Sequence, residues 1–171
     1  MIRVGVSACL LGERVRYDGG HKRSAVLTDV LARHFTWVPV CPEVEIGLGT
    51  PREPVHLIGA PRAPRMVGVT SGRDLTSDMT AFARRRARAL LALDIAGYVL
   101  KSASPSCGLR DVPVRPAEAD DPVPGRGLFA AALVEGCPGL PVVEERDLVD
   151  AAAREAFIAR VRAFASRSRG G

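Results

Sequence analysis

Lysine is almost missing from this chain. Lys22 and Lys101 are the two among 171 residues, and arginine supplies the rest of the 24 basic side chains. Long apolar runs are missing too: none approaches the length of a membrane span. The opening MIRVGVSACLLG has too short an apolar stretch and the wrong flanks for a secretory signal. A soluble, cytoplasmic protein is the expectation. Cysteine is scarce, with four in the chain. In that compartment a disulfide framework is not expected, and so few thiols point to metal or catalysis. There is no C-x-x-C pair, which argues against a dithiol redox motif. No internal repeat and no composition break divides the chain.

What is present is enough for a core. Hydrophobic residues make up 47% of the chain, and a single domain over residues 1–171 is the natural size reading. The net charge is +5. An arginine-rich, lysine-poor composition follows equally from a GC-rich genome, from a hot habitat, or from an anionic partner that arginine pairs with well.

Along the chain, IRVGVSA (2–8) reads as a buried strand, and ERVRYDGGHKR as a polar loop. Ser24 is placed to cap a helix reaching Phe35. WVPVCP reads as a second strand, followed by a Pro/Gly-rich loop through PEVEIGLGTPREP. VHLIGA and RMVGVT read as a hairpin around APRAP. Asp74 or Thr76 starts a helix to about Leu93. GYVLKS is another strand, 104–127 a long irregular loop, GLFAAALVE a short helix and LPVVEE a strand. A final helix runs from Asp147 to about Ser166, with a frayed RSRGG tail. Strands alternating with helices predict an α/β fold: one Rossmann-like domain with a mostly parallel sheet flanked by helices.

Three cysteines stand just past the ends of three such strands: Cys9 in VSACLLG, Cys41 in VPVCPE and Cys107 in SPSCG. The C-terminal ends of parallel strands share one edge, and open α/β sheets bind ligands there. The thiols can therefore converge although they are far apart in sequence. Residue spacing leaves several readings open. They are unrelated buried thiols, a zinc site completed by His21 or Cys137, or an iron–sulfur cluster with one iron left free. A metal-bearing nucleic-acid-binding module without catalysis is a further class.

The phrases VSACLLGERVRYDGG, VPVCPEVEIGLGTPREP, YVLKSASPSCG, GRGLFAAAL and LPVVEE, in this order and over nearly the whole chain, resemble the thiouracil desulfurase (TudS) family. VCPEVEIGLGTPREP is most similar to the branch acting on thiolated uridine in tRNA. The resemblance implies a Rossmann-like α/β fold and a 4Fe-4S cluster held by Cys9, Cys41 and Cys107. It also implies a hydrolytic, non-redox exchange of pyrimidine sulfur for oxygen, with sulfur drawn onto the open iron. Many relatives carry a cysteine where this chain has Val15, outside the ligand set. Cys137 matches no motif of the family and reads as a packing thiol.

On that frame Glu43, two residues past Cys41, is the expected general base, with Glu45 its rival. Ser104 is the expected proton relay. Ser7, Tyr17, Asp18, Lys101 and Ser106 are candidates for substrate contact, Tyr17 by stacking on the pyrimidine and Lys101 by neutralising an anion. Asp18 also suits an Asx turn. His21, His34 and His56 share no ligand spacing. Arg84, Arg85, Arg86 and Arg88 fall on one predicted helix. Of these, Arg84, Arg85 and Arg88 are the candidate RNA contacts, with thiolated tRNA as the expected partner and free 2-thiouracil as the alternative.

Overall fold

The computed structural model describes residues 1–117 and 121–171. The elements in chain order are β1 (Ile2–Ser7), β2 (Phe35–Val40), α1 (Pro42–Glu45), β3 (Val55–Ala60), β4 (Ala63–Gly68), α2 (Thr76–Ala92), β5 (Ile95–Leu100), β6 (Val112–Arg115), β7 (Val123–Gly125), α3 (Leu128–Gly136), β8 (Val142–Glu144) and α4 (Ala151–Arg169).

Strands β2, β1, β5 and β8 lie side by side in that order, all parallel. All six residues of β5 are buried, as a strand covered on both faces requires. One face packs on α2 and α3 through Met79, Phe82, Leu90, Phe129 and Leu133, with Tyr98 and Leu100 contributed by β5. The other face, with Val4, Val6 and Val99, packs on Phe157, Ile158 and Val161 of α4 and on Leu27 and Leu31. The chain is thus an α/β protein whose parallel sheet is flanked by helices. No helix of the described residues is long and apolar enough to cross a membrane.

A second sheet, ordered β4–β3–β6–β7, departs from the expectation of one sheet. Its β3–β4 and β6–β7 pairs are antiparallel and its β3–β6 pair is parallel. The 104–127 segment, expected to be irregular, supplies β6 and β7. Pro113 and Pro124 face each other there; Pro124 sits on the edge strand β7, where a proline is tolerated. Of that segment, residues 118–120 lie outside the described residues.

The expected helix from Ser24 is instead a π turn at Val26–Val30 and a 3₁₀ turn at Leu31–Arg33. The β-branched Val26, Thr28 and Val30 disfavour a regular α-helix there. Helix α2 starts at Thr76, whose amide donates to Asp74 Oδ1 at 2.9 Å. The last helix is capped by Asp150, which accepts from the Ala153 amide at 2.8 Å, and it continues to Arg169. Asp147 belongs to a capping box with Glu144 on the preceding 3₁₀ turn.

Candidate active site

Three strand ends carry the three thiols. After β1 the chain enters a 3₁₀ turn, Ala8–Leu11, that holds Cys9. The Cys9 carbonyl accepts from the Gly12 and Lys22 amides at 3.2 and 2.9 Å. Gly12 has a φ of 93°, which closes this turn and favours glycine. After β2, Cys41 is the N-cap of α1, with Pro42 as the first helical residue. After β5, Ser104 Oγ accepts from the amides of Ser106 and Cys107 at 3.2 and 3.0 Å, closing a turn that presents Cys107.

These turns line one cleft of about 280 Å³, whose wall includes Cys9, Cys41 and Cys107 together with Glu43, Lys101 and Ser104. The thiols are mutually close enough to affect one another. Burial pushes Cys107 well above the ordinary thiol range, and charge on Cys9 or Cys41 pushes it further, against a hydrogen bond from Ser7. Burial raises Cys9 to about 11, partly offset by Lys101 and Arg16. Cys41 is raised by the same cause, and its thiol points to the Val15 carbonyl at 3.7 Å. Among the described residues no three His, Cys, Asp or Glu side chains are spaced to grip one metal ion. His21 is occupied locally, accepting from the Arg23 amide at 3.1 Å. Cys137 is buried in the core beside α3 and does not line the cleft.

Glu43 is held from two sides. Arg52 Nε donates to Oε1 at 3.2 Å and Ser106 Oγ to Oε2 at 2.9 Å. The Arg52 side chain is only 6% exposed, and it also donates to the Gly49 carbonyl and to Thr50 at 2.9 and 3.2 Å. Composition placed Arg52 among many arginines; its partner Glu43 is what sets it apart, and the TPREP phrase was the available signal. Ser106 is fully buried and absent from the cleft wall. Its hydroxyl donates to Glu43, so the structure places this substrate-contact candidate behind the cleft wall.

The other candidates sort by geometry. Ser7 lines the cleft, and its Oγ accepts from the Lys101 amide at 3.0 Å. Asp18 Oδ1 accepts from the Gly20 amide at 2.8 Å. It closes an Asx turn, as the sequence also allowed, and does not line the cleft. Tyr17 lines the cleft, is 42% exposed, and has the Arg16 guanidinium 5.8 Å from its ring centre. Lys101 Nζ reaches the Ser102 carbonyl at 2.7 Å and Glu145 at 3.2 Å, so its charge is already paired. Ser102 and Lys22 also line the cleft and were not foreseen as site residues. Arg84, Arg85 and Arg88 are exposed on α2 and line no part of the cleft.

Comparison with known proteins gives the family. The family model described as 2-thiouracil desulfurase matches residues 4–145, a span holding the three strand-end cysteines, Glu43 and the cleft serines Ser7, Ser102 and Ser104. The uncharacterized protein YbbK of Bacillus subtilis (strain 168) is 30% identical over 150 residues, 85% of this chain and 97% of that protein. Among solved structures, a 4Fe-4S-dependent thiouracil desulfidase, TudS, is similar with a TM-score of 0.71 and 33% identity, over 91% of this chain and 99% of that one. The chain therefore belongs to the 2-thiouracil desulfurase family, and the cleft at the C-terminal edge of its parallel sheet is that of an enzyme.

Proposed function

We propose that this enzyme removes sulfur from thiolated uracil with the help of a 4Fe-4S cluster held by Cys9, Cys41 and Cys107, and that its substrate is thiolated uridine in tRNA, most particularly 4-thiouridine. The carrying observation is the convergence of three strand-end thiols and one clamped carboxylate in a single cleft. The donor set fits a cluster. Three thiols that burial pushes up favour a cationic iron core that stabilises their thiolates. Three thiolates suit an iron–sulfur cluster with one iron left open, whereas structural zinc takes four ligands. When bound, a cluster with one iron free of protein ligands supplies a soft Lewis acid suited to a thiocarbonyl sulfur.

The chain's own residues do the rest. Glu43, fixed by Arg52 and Ser106, orients a water toward the ring carbon and takes its proton at a carboxylate oxygen. Ser104 Oγ accepts two amides, and its own hydrogen remains available to donate into the cleft. Ser7, at the end of β1, lines the cleft beside Cys9 and accepts from the Lys101 amide. Tyr17 presents a ring face at the cleft mouth for the pyrimidine.

For the tRNA reading, the support is charge. Arg16 and Lys22 line the cleft, and neither takes part in an ion pair among the described residues. Arg84, Arg85 and Arg88 add an exposed basic face on α2. The test is sulfide release by anaerobically reconstituted protein from thiolated tRNA and from free 2-thiouracil across a salt series. Turnover of limiting tRNA falls steeply with log salt, because phosphate contacts release counterions, while the free base barely responds. An equal response of both substrates, or use of the free base alone, leaves the small-molecule reading in its place.

A further inference from the structure

Arg86 belongs by sequence to the arginine run of α2, but it is the member turned inward. Its side chain is 24% exposed, and its Nε stands 3.1 Å from Glu45 Oε1. The other carboxylate oxygen of Glu45 accepts from the backbone amide of Cys41 at 3.2 Å. Arg86, Glu45 and the Cys41 amide thus form a continuous line from α2 to a strand-end cysteine of the cleft. We propose that Glu45 and Arg86 are positioning residues for Cys41, an outer brace that keeps this cysteine on its cluster; the proposal rests on the cluster reading above.

The need for a brace follows from the local chain. Helix α1 is a single turn of four residues, far too short to stay helical unaided. Its N-cap, Cys41, makes no side-chain capping bond, because its sulfur faces the cleft. The cap amide is satisfied by Glu45 reaching back, much as the acidic member of a capping box does. Glu45 in turn needs a fixed counter-charge. Arg86 Nε is buried and has no acceptor in line among the described residues, so at 3.1 Å the contact with Glu45 acts as a charge pair rather than a directed hydrogen bond. The Tyr98 hydroxyl, on a fully buried side chain, likewise has no partner among the described residues. Burial keeps it a neutral phenol, and Glu45, Arg86, Cys41 and Cys107 all lie within its electrostatic reach. The carboxylate of Glu45 is therefore the anchor for polar groups behind the cleft. Glu43 is clamped separately by Arg52 and Ser106. The two carboxylates of α1 divide the work, with Glu43 facing the chemistry and Glu45 holding a ligand.

Outer partners of metal ligands commonly change metal affinity by about 10- to 100-fold. The experiment measures the rate of iron loss to excess chelator from anaerobically reconstituted protein, with the electron paramagnetic resonance spectrum of the reduced cluster and the thermal melt of each variant. Arg86→Met keeps the aliphatic stem and removes the charge; Glu45→Ala removes the link. Each is expected to lose iron about 10-fold faster than the parent or more, and the double variant no faster than the singles, because both act through one line. Arg86→Lys restores most of the lifetime, the spectrum of Arg86→Met is altered, and Arg160→Met, at an exposed arginine of α4, loses iron and melts as the parent does. Iron loss from Arg86→Met at the parental rate with an unchanged spectrum overturns the brace alone. So does faster iron loss from Arg86→Met that comes with a lower melting temperature and an unchanged spectrum. A parent chain that takes up no cluster overturns the cluster reading and the brace with it.

Discussion

Replacing Gly127 by alanine tests how tightly the Cys107 turn is docked on the start of α3. The backbone at Gly127 has φ −62° and ψ 149°, angles alanine adopts without strain. Stiffening the unfolded chain even favours the variant, by about 0.4–1 kcal/mol. Space opposes it. A Cβ there stands 2.5 Å from the carbonyl carbon and oxygen of Ser106 and 2.9 Å from the Cys107 nitrogen. These are backbone atoms and cannot rotate aside, so helix and turn must separate by about 1 Å to reach an ordinary contact distance. Four bonds cross that seam: Gly127 N to Gly108 O at 2.8 Å, Leu128 N to Pro105 O at 3.2 Å, and Phe129 N and Ala130 N to Ser106 O at 2.9 and 3.1 Å. At about 1 kcal/mol net for each bond, less the stiffening gain, the variant is less stable by about 3 kcal/mol. Urea unfolding of the parent and Gly127→Ala measures this, and iron per chain after reconstitution reports whether Cys107 has moved. A variant within about 0.5 kcal/mol of the parent, the ordinary range for a surface change, and carrying full iron, refutes the argument that the seam is tight.

Cys9→Ala, Cys41→Ala and Cys107→Ala are each expected to lose most iron on reconstitution, while Cys137→Ala keeps it; full iron in any of the first three removes that cysteine from the ligand set. Glu43→Gln keeps the shape and an oxygen that accepts from Arg52, with its amide NH2 donating to the Ser106 hydroxyl instead, but it cannot take a proton, so turnover falls on the order of 10²-fold or more at unchanged iron content; a near-normal rate in sulfide-release assays moves the base elsewhere. Asp147 is held below its usual value of 3.8 by its hydrogen bond from Arg110. A depressed folded-state pKa gives stability that is present above the unfolded value and lost as pH falls through the folded one. Acid unfolding of the parent below about pH 4 should therefore carry a component that Arg110→Met lacks, and identical acid profiles would count against it.

The strands that carry the thiols were legible because each is a continuous apolar run ending in turn residues, IRVGVS, FTWVPV and IAGYVL. Parallel pairing then brings the three ends to one edge, which is a rule of topology rather than of local sequence. Strands β6 and β7 were hidden by Pro113 and Pro124, which mark a loop unless the edge position is known. Helix α1 was hidden by the prolines and glycines around it, although Pro42 at its first position is itself a start signal. The partners of Glu43 were out of reach for another reason. Ser106 lies 63 residues away and Arg52 nine, and nothing in the hydropathy of either neighbourhood announces the pairing. Asp18 and Ser106, both polar and both inside the quoted motifs, had the right chemistry for substrate contact. Only their hydrogen bonds, one to a turn amide and one to Glu43, give them other work.

The placement of Cys9, Cys41 and Cys107 on the ends of β1, β2 and β5 has a mechanical consequence. A cluster bound to all three stitches together strands that are adjacent in space and distant along the chain, as covalent cross-links do. In the chain-entropy description, closing loops of roughly 30 and 65 residues removes about 4 kcal/mol each from the freedom of the unfolded chain. Because β1 lies between the other two strands, the stitches cannot be made until both crossovers are complete. On the cluster reading proposed above, iron uptake doubles as a readout of finished folding: a chain with one strand out of register would hold no cluster, and a chain holding one would resist unfolding.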